Sequence, residues 1–168
     1  PIAINFITSI SLCLLVQNFC NNTAIKWPND ILVENRKIAG ILIEKQYFGA
    51  NKVNAVIGIG LNINQKHFAI HNATSLFNET GTVFSPKEIL LQFITEFNYW
   101  LSQPFHLLEE KYHELLWLKN QVSHFKTNEG AVFEGKIIKV NREGKIAIQT
   151  ENSLRYFANG EIHFLARD

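Results

Sequence analysis

Two short runs of alternating apolar and polar residues, Asp30–Val33 and Arg36–Glu44, are separated only by Glu34-Asn35. A connection that short makes the chain turn back on itself, so the segment is predicted as a β-hairpin. Side chains repeat with a period of two along a strand, which places Lys37 and Ala39 on one face and Gly40 on the other. Thr23–Lys26 alternates in the same way, and Lys52–Ile59 (KVNAVIGI) is nearly all apolar, as in the centre of a sheet.

Helical spacing flanks these strands. Phe6, Ile7, Ile10, Leu14 and Leu15 predict a buried helix over Ile4–Phe19, which Asn21-Asn22 breaks. This stretch has no basic start, and Asn5, Thr8, Ser9, Ser11 and Gln17 interrupt it, so it reads neither as a targeting peptide nor as a membrane span. Asn62–Glu79 is polar and irregular, with one helical turn expected at Ala73–Phe77. Ser85-Pro86-Lys87-Glu88 combines an N-cap serine, a proline at the first helical position and a glutamate three residues after the cap. The helix it opens places Ile89, Leu90, Phe93, Ile94, Phe97, Trp100 and Leu101 on one face. Pro104 ends it, and a second helix over His106–Leu118 turns Leu108, Tyr112, Leu115 and Leu116 inward.

After Lys119 the pattern changes to short strands: Gln121–Phe125, Ala131–Val140, Lys145–Thr150, Leu154–Ala158 and Glu161–Leu165. Asn128-Glu129-Gly130, Arg142-Glu143-Gly144 and Asn159-Gly160 supply the turns, which predicts a small β-barrel as a second domain. The expected division is residues 1–118 and 119–168.

Composition narrows the function. Among 168 residues, 16 basic against 15 acidic side chains give a net charge of +1, so no overall field draws in nucleic acid or an anionic membrane. In the predicted first helix, Cys13 and Cys20 would stand about two turns, or roughly 10 Å, apart. That exceeds the ~5.5 Å a disulfide needs, and free buried thiols predict a cytoplasmic location. His67, His71, His106, His113, His124 and His163 show no metal-ligand spacing, and the Asn-x-Thr matches at Asn72 and Asn78 are read as coincidental. The sequence holds no methionine, so Pro1 is read as an internal position of a longer protein.

Two stretches carry candidate chemistry. In KWPNDILVENRKIAGILIE, Pro28 restricts Trp27, so Asn29 and Asp30 leave a fixed bend, one an amide and the other a carboxylate. Lys37 precedes Ile38-Ala39-Gly40, and a glycine inside a strand marks a bulge or the close approach of a ligand. The bland alternative is a hairpin with a solvated Arg36-Lys37 pair and a core Trp27. In Ile57-Gly58-Ile59-Gly60-Leu61-Asn62, Gly58 and Gly60 open the backbone to a nucleotide, although the third glycine of a dinucleotide motif is missing.

Together, KWPND, RKIAGILIE and GIGLNIN, with Ala73-Thr74-Ser75-Leu76 and the terminal Asn159-Gly160-Glu161-Ile162, closely resemble bacterial biotin protein ligases, also called biotin--[acetyl-CoA-carboxylase] ligases. The resemblance implies an α+β fold. Its core would be a mixed sheet with helices, like class II aminoacyl-tRNA synthetases and biotin synthetases, followed by an SH3-like β-barrel. It implies activation of biotin by ATP with Mg²⁺ to biotinyl-5'-AMP, then transfer of biotin to a lysine of the biotin carboxyl carrier protein of acetyl-CoA carboxylase.

By the same resemblance, Lys37 stands beside the biotin carboxylate and the α-phosphate, and Asp30 orients and deprotonates the carrier lysine. Ala39 and Gly40 belong to the strand on which biotin lies. Gly58 and Gly60 let the nucleotide approach, and Asn29 and Asn62 contact the nucleotide or its Mg²⁺. A homodimer through the central sheet is a further implication, whereas no DNA-binding helix-turn-helix is visible in this chain. The family's Gly- and Arg-rich loop lies upstream of the opening helix, so the chain is expected to be a catalytically incomplete C-terminal portion. A lipoate-attaching relative and a non-catalytic oligomerisation module are the competing readings.

Overall fold

The computed structural model describes residues 2–48, 52–69 and 71–165, with Pro1 outside them. The chain forms two compact units, Ala3–Leu115 and a second that begins at Leu116. The first contains helices and strands and the second strands, so the chain is α+β.

In the first unit, helix α1 (Ile2–Gln17) is buried over both faces, including Phe6, Ile10, Leu12, Cys13 and Leu15. A helix apolar all round belongs in a core. Two of its three buried hydroxyls are accommodated by bonds to the preceding turn, Thr8 Oγ1 to Ile4 O and Ser11 Oγ to Ile7 O, each 2.7 Å, whereas Ser9 Oγ has no hydrogen-bond partner among the described residues. The helix ends before Cys20, so the two thiols do not share its face; both are buried and unbridged.

Strands β1 (Thr23–Lys26), β2 (Asp30–Val33), β3 (Arg36–Phe48) and β4 (Lys52–Leu61) pair in that order, each antiparallel to its neighbour. Glu34 and Asn35 both have positive φ, 49° and 66°, the signature of a type I′ turn that suits a two-residue hairpin. The parallel component expected of a mixed sheet is confined to an isolated bridge between Lys37 and Ala73.

The short helix α2 (Leu76–Thr80) starts three residues later than the expected turn. Ser75, two residues inside that expected turn, is its N-cap and accepts a hydrogen bond from the Asn78 amide. Helix α3 (Pro86–Leu101) begins at the proline as predicted, although Ser85 makes no side-chain capping bond. Its predicted inward face is a correction. Ile89 is buried, but Leu90, Ile94 and Leu101 are 43% to 55% exposed, and Leu90 borders an open apolar groove. Helix α4 (Phe105–Glu114) stops at a C-cap on Leu115, four residues short of the expected end, with Leu108, Tyr112, Leu115 and Leu116 buried as anticipated.

The second unit contains β5 (Val122–Thr127), β6 (Val132–Val140), β7 (Ile146–Gln149), β8 (Leu154–Phe157) and β9 (Ile162–Phe164). Among the described residues they form a sheet of order β8-β7-β6-β5-β9, with antiparallel neighbours throughout. Phe125, Ile137, Ile146, Ile148 and Phe157 fill its core. Gly130, Gly144 and Gly160 all have φ between 83° and 93°, which is why glycine closes each turn.

Candidate active site

The site grows from the bend between β1 and β2. Trp27-Pro28 is a cis peptide, and Trp27 is buried as a core aromatic. Asn29 then clamps the bend onto β3: its Nδ2 donates to Ile41 O at 2.7 Å, and the Ile41 amide donates to Asn29 O at 2.9 Å. Asp30 therefore enters β2 at a fixed height opposite Gly40.

The pairing of β2 with β3 slips. Leu32 faces Lys37 and Ile31 faces Ala39, which leaves Ile38 as an extra residue, a β-bulge. The slip overturns the expected alternation. Ile38 and Ala39 are both buried, so Ala39 lies in the core rather than beside Lys37, and the Lys37 side chain comes round to the side of Gly40. Lys37 Nζ reaches Asp30 Oδ1 at 2.5 Å. A Cβ on residue 40 would stand 3.2 Å from Nζ, 3.3 Å from Cε and 3.5 Å from Asp30 Oδ1, so any side chain there would push the lysine tip aside by a few tenths of an ångström.

The same register extends an open lane across the sheet. Gly40 faces Gly60, Leu42 faces Gly58 and Glu44 faces Val56, with Leu42 61% exposed. A Cβ at Gly58 would meet Leu42 O at 3.7 Å, and one at Gly60 would meet Gly40 O at 4.0 Å. These are ordinary contacts, so Gly58 and Gly60 expose backbone rather than relieve crowding. On the reverse side, Ile57, Ile59 and Leu61 join Leu12, Leu15 and Phe93 around an apolar groove of about 470 Å³ that carries no ionisable side chain.

A loop straps Lys37 from the far edge. The Lys37 amide donates to Asn72 O at 2.8 Å, and the Thr74 amide donates to Lys37 O at 2.9 Å. Asn62 holds this loop in turn, its Nδ2 donating to Thr74 O at 3.0 Å while its O accepts from the Leu76 amide at 3.1 Å. Ser75 Oγ donates to Gln65 O at 2.5 Å. Thr74 Oγ1 bonds to the Glu79 carboxylate, which Arg36 Nη2 grips at 2.9 and 3.0 Å.

The structure thus brings Asp30, Lys37 and Gly40 into contact, with Gly60 opposite Gly40 and Gly58 further along the lane. Asn29 and Asn62 each commit an amide N–H to a backbone carbonyl, which leaves their side-chain oxygens as donors suited to a hard cation. Among the described residues no three His, Cys, Asp or Glu side chains converge. Sequence reasoning missed Arg36, Glu79 and the role of Asn72 and Thr74. The only local trace was Ala73-Thr74-Ser75-Leu76, whose purpose depends on a contact with β3.

Residues 17–62 match the biotin/lipoate A/B protein ligase family. The bifunctional ligase/repressor BirA of Bacillus spizizenii is 29% identical over 154 residues, covering 83% of this chain and 46% of the relative. The biotin--[acetyl-CoA-carboxylase] ligase of Paracoccus denitrificans is 35% identical over 86 residues, 48% of this chain and 36% of the relative. The chain therefore spans less than half the length of these curated relatives. Among solved structures, biotin protein ligase from Aquifex aeolicus in complex with biotin and ATP superposes with a TM-score of 0.76 at 21% identity, covering 98% of this chain and 72% of that one. The fold is shared with that enzyme.

Proposed function

We propose that the protein, whose residues 17–62 match the biotin/lipoate A/B protein ligase family, activates biotin with ATP and passes it to a carrier lysine. The observation that carries this reading is the Lys37–Asp30 pair lying over the bare backbone of Gly40. In the first step a biotin carboxylate oxygen attacks the α-phosphorus of ATP, and pyrophosphate leaves. Two anions must approach each other, and a half-exposed ammonium on a rigid strand lowers that repulsion.

When the carboxylate and phosphate take the Lys37 ammonium, Asp30 loses its partner. The freed carboxylate can then accept a proton from the amine of the carrier lysine as that nitrogen attacks the acyl carbon; the amide forms and AMP leaves. Ala39 supports the strand from the core side, and Gly40, Gly58 and Gly60 give substrate access to the backbone. Mg²⁺ would arrive on the triphosphate, with Asn29 and Asn62 supplying oxygens.

The carrier we favour is the biotin carboxyl carrier protein of acetyl-CoA carboxylase, on the strength of the Paracoccus relative's name. The second unit is read as an SH3-like module, residues 119–168, attached to a partial catalytic domain over 1–118. Among the described residues β4 has a partner strand on one side only, which suits a homodimer through the central sheet. Among the described residues no helix is long and apolar enough to cross a membrane; the free, buried thiols of Cys13 and Cys20 favour a cytoplasmic location.

Exchange of labelled pyrophosphate into ATP by the full-length protein tests the reading. Exchange is expected to require biotin, and Lys37→Ala is expected to lower it by about 10², the scale of a lost electrostatic group. Exchange that ignores biotin, or that lipoate supports equally well, overturns the biotin assignment. Absence of exchange favours the non-catalytic alternative.

A further inference from the structure

We infer that Glu79, gripped by Arg36, is a positioning residue that sets Lys37 through Thr74. The inference rests on the ligase reading for its kinetic consequence, but the contacts stand on their own. Arg36 immediately precedes Lys37 on β3. Its Nη2 lies 2.9 Å from Glu79 Oε1 and 3.0 Å from Oε2. The Glu79 carboxylate accepts the hydroxyl of Thr74, a fully buried residue, and the Thr74 amide donates to the Lys37 carbonyl at 2.9 Å. These bonds, with the Arg36-Lys37 peptide, make a closed ring.

The ring holds the backbone of the one strand residue whose side chain must lie flat over Gly40. Burial leaves Thr74 Oγ1 no water to turn to, so its partner decides where the loop sits. A carboxylate accepting from a hydroxyl and a guanidinium together makes charge-assisted bonds, stronger and more directional than neutral ones. A side-chain amide at position 79 would keep the shape and lose that grip. A small displacement of a positioned group costs rate, because the reacting atoms meet only in a narrow range of geometry.

The test compares Glu79→Gln, Thr74→Val and Thr74→Ser in the full-length protein. For biotin-dependent pyrophosphate exchange, Glu79→Gln and Thr74→Val are expected to lower kcat about tenfold while leaving KM for biotin within about twofold. Thr74→Ser, which retains the hydroxyl, is expected to keep both near the wild-type values. Amide hydrogen exchange gives a second readout that needs no activity: Lys37 and Thr74 are expected to exchange about tenfold faster in Glu79→Gln than in Thr74→Ser, with Tm little changed. An unchanged kcat in Glu79→Gln, or equal falls in all three variants, overturns the inference. A wild-type protein without biotin-dependent exchange defeats the ligase reading instead; unchanged protection of Lys37 and Thr74 in Glu79→Gln then overturns the positioning role separately.

Discussion

Lys37 Nζ stands 2.5 Å from Asp30 Oδ1 directly over Gly40, although the two residues lie on different strands joined through a bulge. An ion pair in which the lysine is half exposed contributes little to folding, on the order of 0–1 kcal/mol. Its value lies in what it can exchange for. Asp30→Asn is therefore expected to leave pyrophosphate exchange within about threefold of wild type, yet to slow biotin transfer from preformed adenylate to carrier by about 10². Single-turnover measurement of the two half-reactions checks this; equal loss in both would remove the proton-accepting role from Asp30.

Gly40 and Gly60 are directly opposite each other but are not equivalent. A methyl group on residue 40 presses on the Lys37 ammonium at 3.2 Å, whereas one on residue 60 meets nothing closer than 4.0 Å. Gly40→Ala is expected to lower exchange activity about tenfold or more with a small change in Tm, since the atom that yields is the end of a flexible side chain. Gly60→Ala is expected to be thermally neutral, and thermal melts of the two variants beside their rates make the comparison.

Stability of the second unit has its own sensitive position. A Cβ on Gly135 would stand 2.5 Å from Ile148 Cγ2 and 2.9 Å from Gln149 O, and neither a buried branched side chain nor the backbone can retreat cheaply. Gly135→Ala is expected to cost about 1–3 kcal/mol through overpacking. Denaturant unfolding followed through Trp117 would show it, and an unshifted midpoint would contradict this packing of β6 on β7.

Burial pushes the Cys13 thiol up to about 12, against a slight opposing pull from Lys111, and burial with the Glu79 carboxylate pushes Cys20 up to about 11. Both native values lie above the ordinary 9.0, so the folded protein holds these protons more tightly than the unfolded chain. Their contribution to stability is complete below pH 9.0 and is lost as pH rises through the folded values of about 11 and 12. Denaturant midpoints measured at steps from pH 8 upward should begin to fall near pH 9, and Cys13→Ala should flatten that fall. At pH 8, iodoacetamide should label both thiols slowly until the unit unfolds.

Whatever depends on neighbours along the chain could be read from the order of residues alone. Alternation around Glu34-Asn35 required the hairpin, Pro86 began a helix, and glycines at 130, 144 and 160 closed turns whose φ values demand them. The residue types of KWPND, RKIAG and GIGLN also marked Asp30, Lys37, Gly40, Gly58 and Gly60 before any contact was visible. Tertiary structure decided which way those residues point and what holds them. The bulge at Ile38 is a property of β2 pairing with β3, and it turned Lys37 toward Gly40 against the period-two expectation. The strap from Asn72 and Thr74, and the Arg36–Glu79 grip behind it, join segments more than thirty residues apart. The exposed face of α3 has the same origin: periodicity reports that a face is apolar, while only the packing around it reports whether anything lies against it.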